Sequence, residues 1–260
     1  MNRSAVICEH FHYTRDELTV LIAARQVRSV RGILARFGQG AGCATCLSTI
    51  EQILKELRTS EQLRHAAWAS TERVMRVDEA AEAEVTVTDA RVRSISDFLH
   101  HRYARIRQVY SLQMVVTDNV SASSPAQWAD VGVIVRPDEY QVYLCGQGGD
   151  CPRSGFLLAM CRTQEQLVRC LDRFLMYYIL TADPYTRTAP WIDMLANGTQ
   201  HLRRVIVVDT LRVGVELDDM FQTVAGAGSL AAGFDPQSCD SMEEVAHVHF
   251  EHPPETVISF

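Results

Sequence analysis

With 260 residues, 47% of them hydrophobic and 22% charged, the chain has the composition of an ordinary globular protein, which excludes wholesale disorder. A formal net charge of −7 excludes a broad nucleic-acid surface. No apolar run approaches the ~18 residues that span a bilayer, and the first residues carry no signal-peptide core. The expectation is therefore a cytoplasmic protein with no membrane and no nucleic-acid partner, whose eight cysteines are thiols or metal ligands rather than disulfides.

In chain order, Thr14 and Glu17 form a capping box ahead of Leu18, Leu21 and Ile22, predicting a first helix. Ser29 is the expected cap of a second, carrying Ile33, Leu34 and Phe37 and stopping at Gly38. A glycine-rich turn, Gly38 to Gly42, leads into Cys43-Ala44-Thr45-Cys46 and a third helix with Ile50, Ile53, Leu54 and Leu57 on one face. Residues 61–84 are polar and read as a linker with some helix. Beyond them, Val85 to Val87, Leu112 to Thr117, Val131 to Val135, Gln141 to Cys145 and Val205 to Val208 read as strands, and Ile95 to Val109 as a helix. Thr163 and Gln166 start a long helix reaching Thr181, and Thr188 a shorter one with Pro190 in its first turn. The fold class is α+β: a small helical module followed by an α+β half-domain.

Cys8, His10, Cys43 and Cys46 carry the chemistry, as C-x-H followed at a distance by C-x2-C. Thiolates suit iron–sulfur clusters, and neutral imidazole can replace one of them on iron. A C-x2-C pair at a helix start lets two sulfurs converge where the helix dipole offsets their negative charge. The glycines before Cys43 let backbone N–H groups approach the sulfides. The same four ligands also make a structural zinc set, and His12 or Glu9 could compete for the place of His10.

This arrangement resembles the bacterioferritin-associated-ferredoxin type of [2Fe-2S] domain over about residues 6–58, with His10 standing where that type has its second cysteine. The resemblance implies a [2Fe-2S] cluster on Cys8, His10, Cys43 and Cys46, with a potential raised by the imidazole and dependent on pH. Ile7-Cys8-Glu9-His10-Phe11 with Cys43 and Cys46 is more closely similar to the second such domain in the large subunit of assimilatory NAD(P)H-dependent nitrite reductases. The likeness continues through Asp130-Val131-Gly132-Val133-Ile134, Tyr143 to Gly149, Arg173 to Tyr178, Thr181-Ala182-Asp183 and Arg187-Thr188-Ala189-Pro190-Trp191, which resemble the end of that family's sirohaem domain.

That family holds its sirohaem-[4Fe-4S] centre on two cysteine pairs. The matching places here are Asn119 and Ser123, and the region of Glu79 and Val85, where no cysteine stands. The resemblance thus implies a chain that keeps the [2Fe-2S] module while sirohaem and the [4Fe-4S] cluster are lost. Its expected domains are 1–60 for the cluster, 61–84 for the linker, 85–225 for the degenerate half-domain and 226–260 for a tail. The implied role is an electron-transfer subunit in nitrate or nitrite assimilation. It would be fed by a flavoprotein or ferredoxin and would deliver to a separate catalytic subunit such as a molybdenum nitrate reductase. The alternatives are a shortened nitrite reductase chain still binding sirohaem with a partner, and a zinc-stabilised assembly protein.

Other features read as structural. Cys145, Cys151, Cys161 and Cys170 fit no tight ligand motif, and Cys239 is incidental. His247 and His249 suit a solvated strand edge, with His252 beyond. The Gly146 to Gly149 turn does not complete a dinucleotide fingerprint.

Overall fold

The computed structural model describes residues 6–38, 40, 42–74, 90–121, 123–183, 186–195 and 197–225, with backbone alone from 60 to 74 and at 225. The chain divides into two units, Met1–Ala227 and Gly228–Phe260, and every described residue lies in the first. The expectations for Glu79, Val85 to Val87, Cys239 and the C-terminal histidines fall outside the described residues.

The chain opens with an antiparallel hairpin, β1 (Val6–Cys8) and β2 (Phe11–Thr14), which the expected all-helical module did not include. Helix α1 (Arg15–Ala24) starts as predicted: the Thr14 hydroxyl accepts from the Glu17 amide, and the Glu17 carboxylate accepts from the Thr14 amide at 2.8 Å. Helix α2 (Val30–Phe37) is capped by Ser29, whose hydroxyl accepts from the Gly32 amide at 3.2 Å. Helix α3 runs unbroken from Ala44 to Val74, so the first part of the expected 61–84 linker is a continuation of that helix. Ala and Glu favour helix enough to carry it past the last apolar residue of its buried face.

The larger part holds a four-stranded sheet in the order β3-β4-β5-β6, made of β3 (Met114–Thr117), β4 (Val131–Val135), β5 (Tyr140–Leu144) and β6 (Phe156–Cys161). The β3–β4 pair is parallel and the other two are antiparallel. Against it pack α4 (Ala90–Tyr110) and α5 (Gln164–Thr181), followed by α6 (Thr188–Met194), α7 (Gly198–Leu202) and α8 (Gly214–Ala225). At α5 the second capping box is only half made. Thr163 accepts from the Gln166 amide, but Gln166 accepts from the amide of Arg162 instead. Val205 to Val208, expected as a strand, lies in a π-helical turn, Arg203–Val207, that continues α7. Its apolar run is short enough to bury equally well from a helix. Sequence reading also missed β6 and α8.

The family-like blocks meet in space. Asp130, wholly buried just before β4, accepts from the Gln113 amide at 2.9 Å and from Arg187 and Thr188 at the start of α6. On the neighbouring strand residue, a side chain on Gly132 would lie 1.8 Å from the Ala126 carbonyl of a 3-10 turn (Pro125–Trp128). Only glycine lets that turn lie on the sheet.

Two buried apolar clusters result. The smaller joins Phe11, Leu18, Ile22, Ile33, Ile50 and Ile53 around Cys46. The larger joins the sheet to α4, α5, α6 and α8 around Phe174, Tyr177, Trp191 and Phe221. Helix α1 serves both, with Leu18 and Ile22 turned to the first and Val20, Leu21 and Ala24 to the second. One helix thus ties the N-terminal module to the sheet.

Candidate metal centre

The hairpin and the start of α3 bring Cys8, His10, Cys43 and Cys46 together, with all four candidate ligand atoms within 4.8 Å of one another. Cys8 closes β1, and His10 stands in the tight turn before Phe11. Phe11 is wholly buried and pairs across the hairpin with Cys8, so packing of its ring fixes the turn that presents both ligands. His12 and Glu9, the competitors for the fourth place, are exposed and outside the group. The period of two along a strand turns His12 away from the neighbours that face Phe11 inward.

Cys43 precedes the first residue of α3 and Cys46 lies in its first turn. Their sulfurs are 3.8 Å apart, and the Cys43 amide donates to the Cys46 sulfur at 3.1 Å. The hydrogen bond from the Cys46 main chain lowers the Cys43 thiol from 9.0 to about 6, with the Cys46 side chain and the Thr45 amide adding to it. A thiol of that acidity is a thiolate at neutral pH, ready to bind metal. Burial pushes the Cys46 thiol the other way, as expected for a sulfur with no exposed surface. A bound cation would have to drive off that proton.

The walls suit a group larger than the side chains themselves. A side chain on Gly42 would come 3.0 Å from Leu34 and 3.4 Å from the Cys46 sulfur, filling space beside the ligands. Gly40 adopts φ +76, a conformation that L side chains rarely take. Cys8, His10 and Cys43 are half-buried, so the site opens to the surface.

Ligands on one tetrahedral ion at about 2.3 Å lie about 3.8 Å apart. The Cys43–Cys46 pair matches that spacing, and Cys8 and His10, at 3.5 Å from sulfur to Nδ1, come close to it. The four donors thus converge as one group, and three thiols with one imidazole are a set that iron–sulfur chemistry accepts.

Elsewhere the cysteines are placed differently. Cys145, Cys161 and Cys170 are buried in or beside the larger core, and Cys151 is exposed. Asn119 and Ser123, the places of the absent cysteine pair, are exposed. Asn119 accepts from the Ser121 amide at 2.9 Å, and the Ser121 and Ser123 hydroxyls are 3.4 Å apart. No helix among the described residues is long and apolar enough to cross a membrane.

Comparison with known proteins leads to the same quarter of the molecule. Residues 6–56 match the family of BFD-like [2Fe-2S] binding domains. The chain is a relative of the nitrite reductase large subunits. It is 25% identical to the nitrite reductase [NAD(P)H] large subunit of Klebsiella oxytoca and 27% identical to the nitrite reductase (NADH) large subunit of Escherichia coli, over 82% of its own length in each case. Over 48% of its length it is 33% identical to the nitrite reductase [NAD(P)H] of Emericella nidulans. The chain spans about a third of the first two relatives, 31% and 35%. No solved structure matches it.

Proposed function

We propose, from this kinship with the nitrite reductase large subunits, that the chain is a [2Fe-2S] electron-transfer subunit of a nitrate or nitrite reductase system. The observation that carries the reading is the meeting of Cys8, His10, Cys43 and Cys46 inside a segment that matches BFD-like [2Fe-2S] binding domains. When bound, such a cluster accepts and returns one electron. The chain's own part is to supply the ligands and their surroundings. Cys43 offers a preformed thiolate, the α3 N-terminus offsets negative charge, and Phe11 and Leu34 shield the inner side.

The electron donor in this reading is a flavoprotein or ferredoxin. The acceptor is a separate catalytic subunit, with a molybdenum nitrate reductase as the leading example. Asn119 and Ser123 cannot supply thiolates at the matching sirohaem-centre positions, which supports transfer rather than nitrite reduction as the chain's task. A cytoplasmic setting belongs to this reading, because a reducing compartment keeps cysteines available as metal ligands.

One observation favours a second reading. Four donors all within 4.8 Å also surround a single zinc ion, which would make the module a structural element of an assembly protein. Anaerobic purification with iron, labile sulfide, zinc and sirohaem assays separates these outcomes. Equal iron and sulfide with a [2Fe-2S] absorption and electron paramagnetic resonance spectrum is expected. Zinc without sulfide establishes the second reading, and a sirohaem Soret band restores a catalytic one.

A further inference from the structure

From Leu18 to Ile50 the sequence holds four arginines and no acidic residue, in a chain whose net charge is −7. This run supplies the last seven residues of α1, all of α2 and two of the four candidate ligands. Arg25 is engaged, pairing with Glu216 and donating to the Arg212 carbonyl. Arg28, Arg31 and Arg36 are exposed and have no ion-pair partner among the described residues. Arg31 and Arg36 lie on α2, and Arg28 comes one residue before its Ser29 cap. Leu34 of the same helix and the Cys46 sulfur both border Gly42, where an added side chain would lie 3.0 Å from the one and 3.4 Å from the other. The charged helix therefore borders the metal centre through Leu34.

Two guanidinium groups on one short helix and a third just before it, without ion-pair partners among the described residues, add little to folding that neutral side chains would not supply. They put a local positive field beside the Cys8/His10/Cys43/Cys46 group, the candidate metal site among the described residues. Glu9, exposed between Cys8 and His10, is the acidic side chain of the ligand turn, and it leaves the three arginines in excess. Such a field orients an acidic partner as it approaches and speeds its encounter.

We propose that Arg28, Arg31 and Arg36 form the docking face for an acidic electron-carrier protein, which they hold with its redox centre turned to the Cys8/His10/Cys43/Cys46 site. This rests on the electron-transfer reading and names the chemistry of the partner. The 226–260 segment is the competing occupant, because it holds six carboxylate residues and no Lys or Arg.

The test is a titration of a fluorescently labelled, oxidised, acidic plant-type ferredoxin with the full-length chain, followed by anisotropy, with cluster absorption recorded on the same samples. Raising salt from about 20 to about 200 mM should weaken binding at least tenfold. At low salt R28E/R31E/R36E should weaken it by a further factor of about ten or more, whereas R28K/R31K/R36K should stay within about threefold of the parent. An R28E/R31E/R36E chain that keeps its absorption yet binds within about twofold of the parent overturns the proposal. So does a tenfold gain in affinity from E243Q/E244Q/E251Q/E255Q, which would make the tail the occupant. Charge-dependent binding by a chain with no [2Fe-2S] absorption would sink the cluster reading and leave the docking face standing.

Discussion

The N-terminal module and the sheet region bury their residues on different scales. In the module a handful of side chains, centred on Phe11, Ile33 and Ile50, enclose a sulfur that is itself part of the core. In the sheet region Trp191 alone meets Phe174, Tyr177 and Tyr178 in ring contacts, and α4, α5 and α8 add further buried layers. A core as small as the first leaves little margin over chain entropy, so the module leans on α1 and on whatever its ligands hold. The second buries many more apolar side chains and contains none of the four candidate ligands. The difference teaches where a metal matters to folding and where it does not.

The largest expected effect follows from removing a ligand. Cys46→Ser keeps the volume and loses a thiolate, and it should lower metal or cluster occupancy by more than the ~10–100-fold that loss of a supporting partner costs. The module should lose cooperative structure with it. Cys145→Ser, which changes a buried thiol of the other region, should leave occupancy unchanged. Iron, sulfide and zinc content with circular dichroism of both variants checks this. Equal loss in the two would erase the proposed division.

Next come the aromatic anchors. Phe11→Ala and Trp191→Ala each empty a fully buried site and should cost about 3–5 kcal/mol. Their consequences should part company. Phe11 is paired with Cys8 and packs within the module, so its loss should weaken metal binding as well as stability. Trp191, which donates from Nε1 to the Thr181 hydroxyl, should affect denaturant unfolding and leave metal affinity alone. Matching metal-affinity losses in both variants would show that the regions act as one.

The two regions were also unequally legible in sequence. The module's chemistry could be read because C-x-H and C-x2-C are short spacings fixed by ligand geometry, and the capping residues Thr14 and Ser29 announce their helices locally. Its hairpin could not, since Ile7 to Thr14 is too short to show a period and Phe11 is its one fully buried side chain. In the sheet region Val131 to Val135 and Thr163 to Thr181 were plain. β6 was not, although Pro152, Ser154 and Gly155 mark a turn before it, because Phe156 to Cys161 is an unbroken apolar run whose period does not tell strand from buried helix. Helix α8 depends on Phe221 and Leu217 packing against partners far away in sequence. Its Leu217, Met220, Phe221 and Val224 do recur at helical spacing, a signal the sequence reading passed over. The arginine excess near the cluster was present in the sequence from the start, but only the helix geometry shows that it stands beside Leu34 and the ligands.

A smaller effect tests the polar part of the sheet region. Asp172, nearly buried in α5, accepts from Arg102 at 2.6 Å and from the Tyr103 hydroxyl at 2.7 Å. Burial outweighs these bonds and raises its carboxyl from 3.8 to about 6. A raised acid takes up a proton on folding between those two values, so its contribution to stability grows as pH falls from about 6 towards 3.8 and is absent above. Urea unfolding at a series of pH values should show the parent gaining about 1–3 kcal/mol over Asp172→Asn across that window. A constant difference would refute the raised value. The module's metal occupancy should be the same in both proteins at neutral pH.

The smallest effect lies at the junction of the two regions. Thr14 ends the ligand hairpin and caps α1, the helix whose opposite faces enter both cores. Thr14→Ala removes the hydroxyl that accepts from the Glu17 amide, leaving the carboxylate arm from Glu17 to the Thr14 amide in place. The expected cost is about 0.5–2 kcal/mol, and Thr14→Ser should restore most of it. Because α1 belongs to both cores, the loss should appear in unfolding of the module and of the sheet region alike, unlike that of Phe11→Ala or Trp191→Ala. Thermal melts followed at the cluster absorption and at the far-ultraviolet helix signal would measure both at once. A shift confined to one signal would mean that α1 does not couple the regions, and that the sheet stands independent of the metal module.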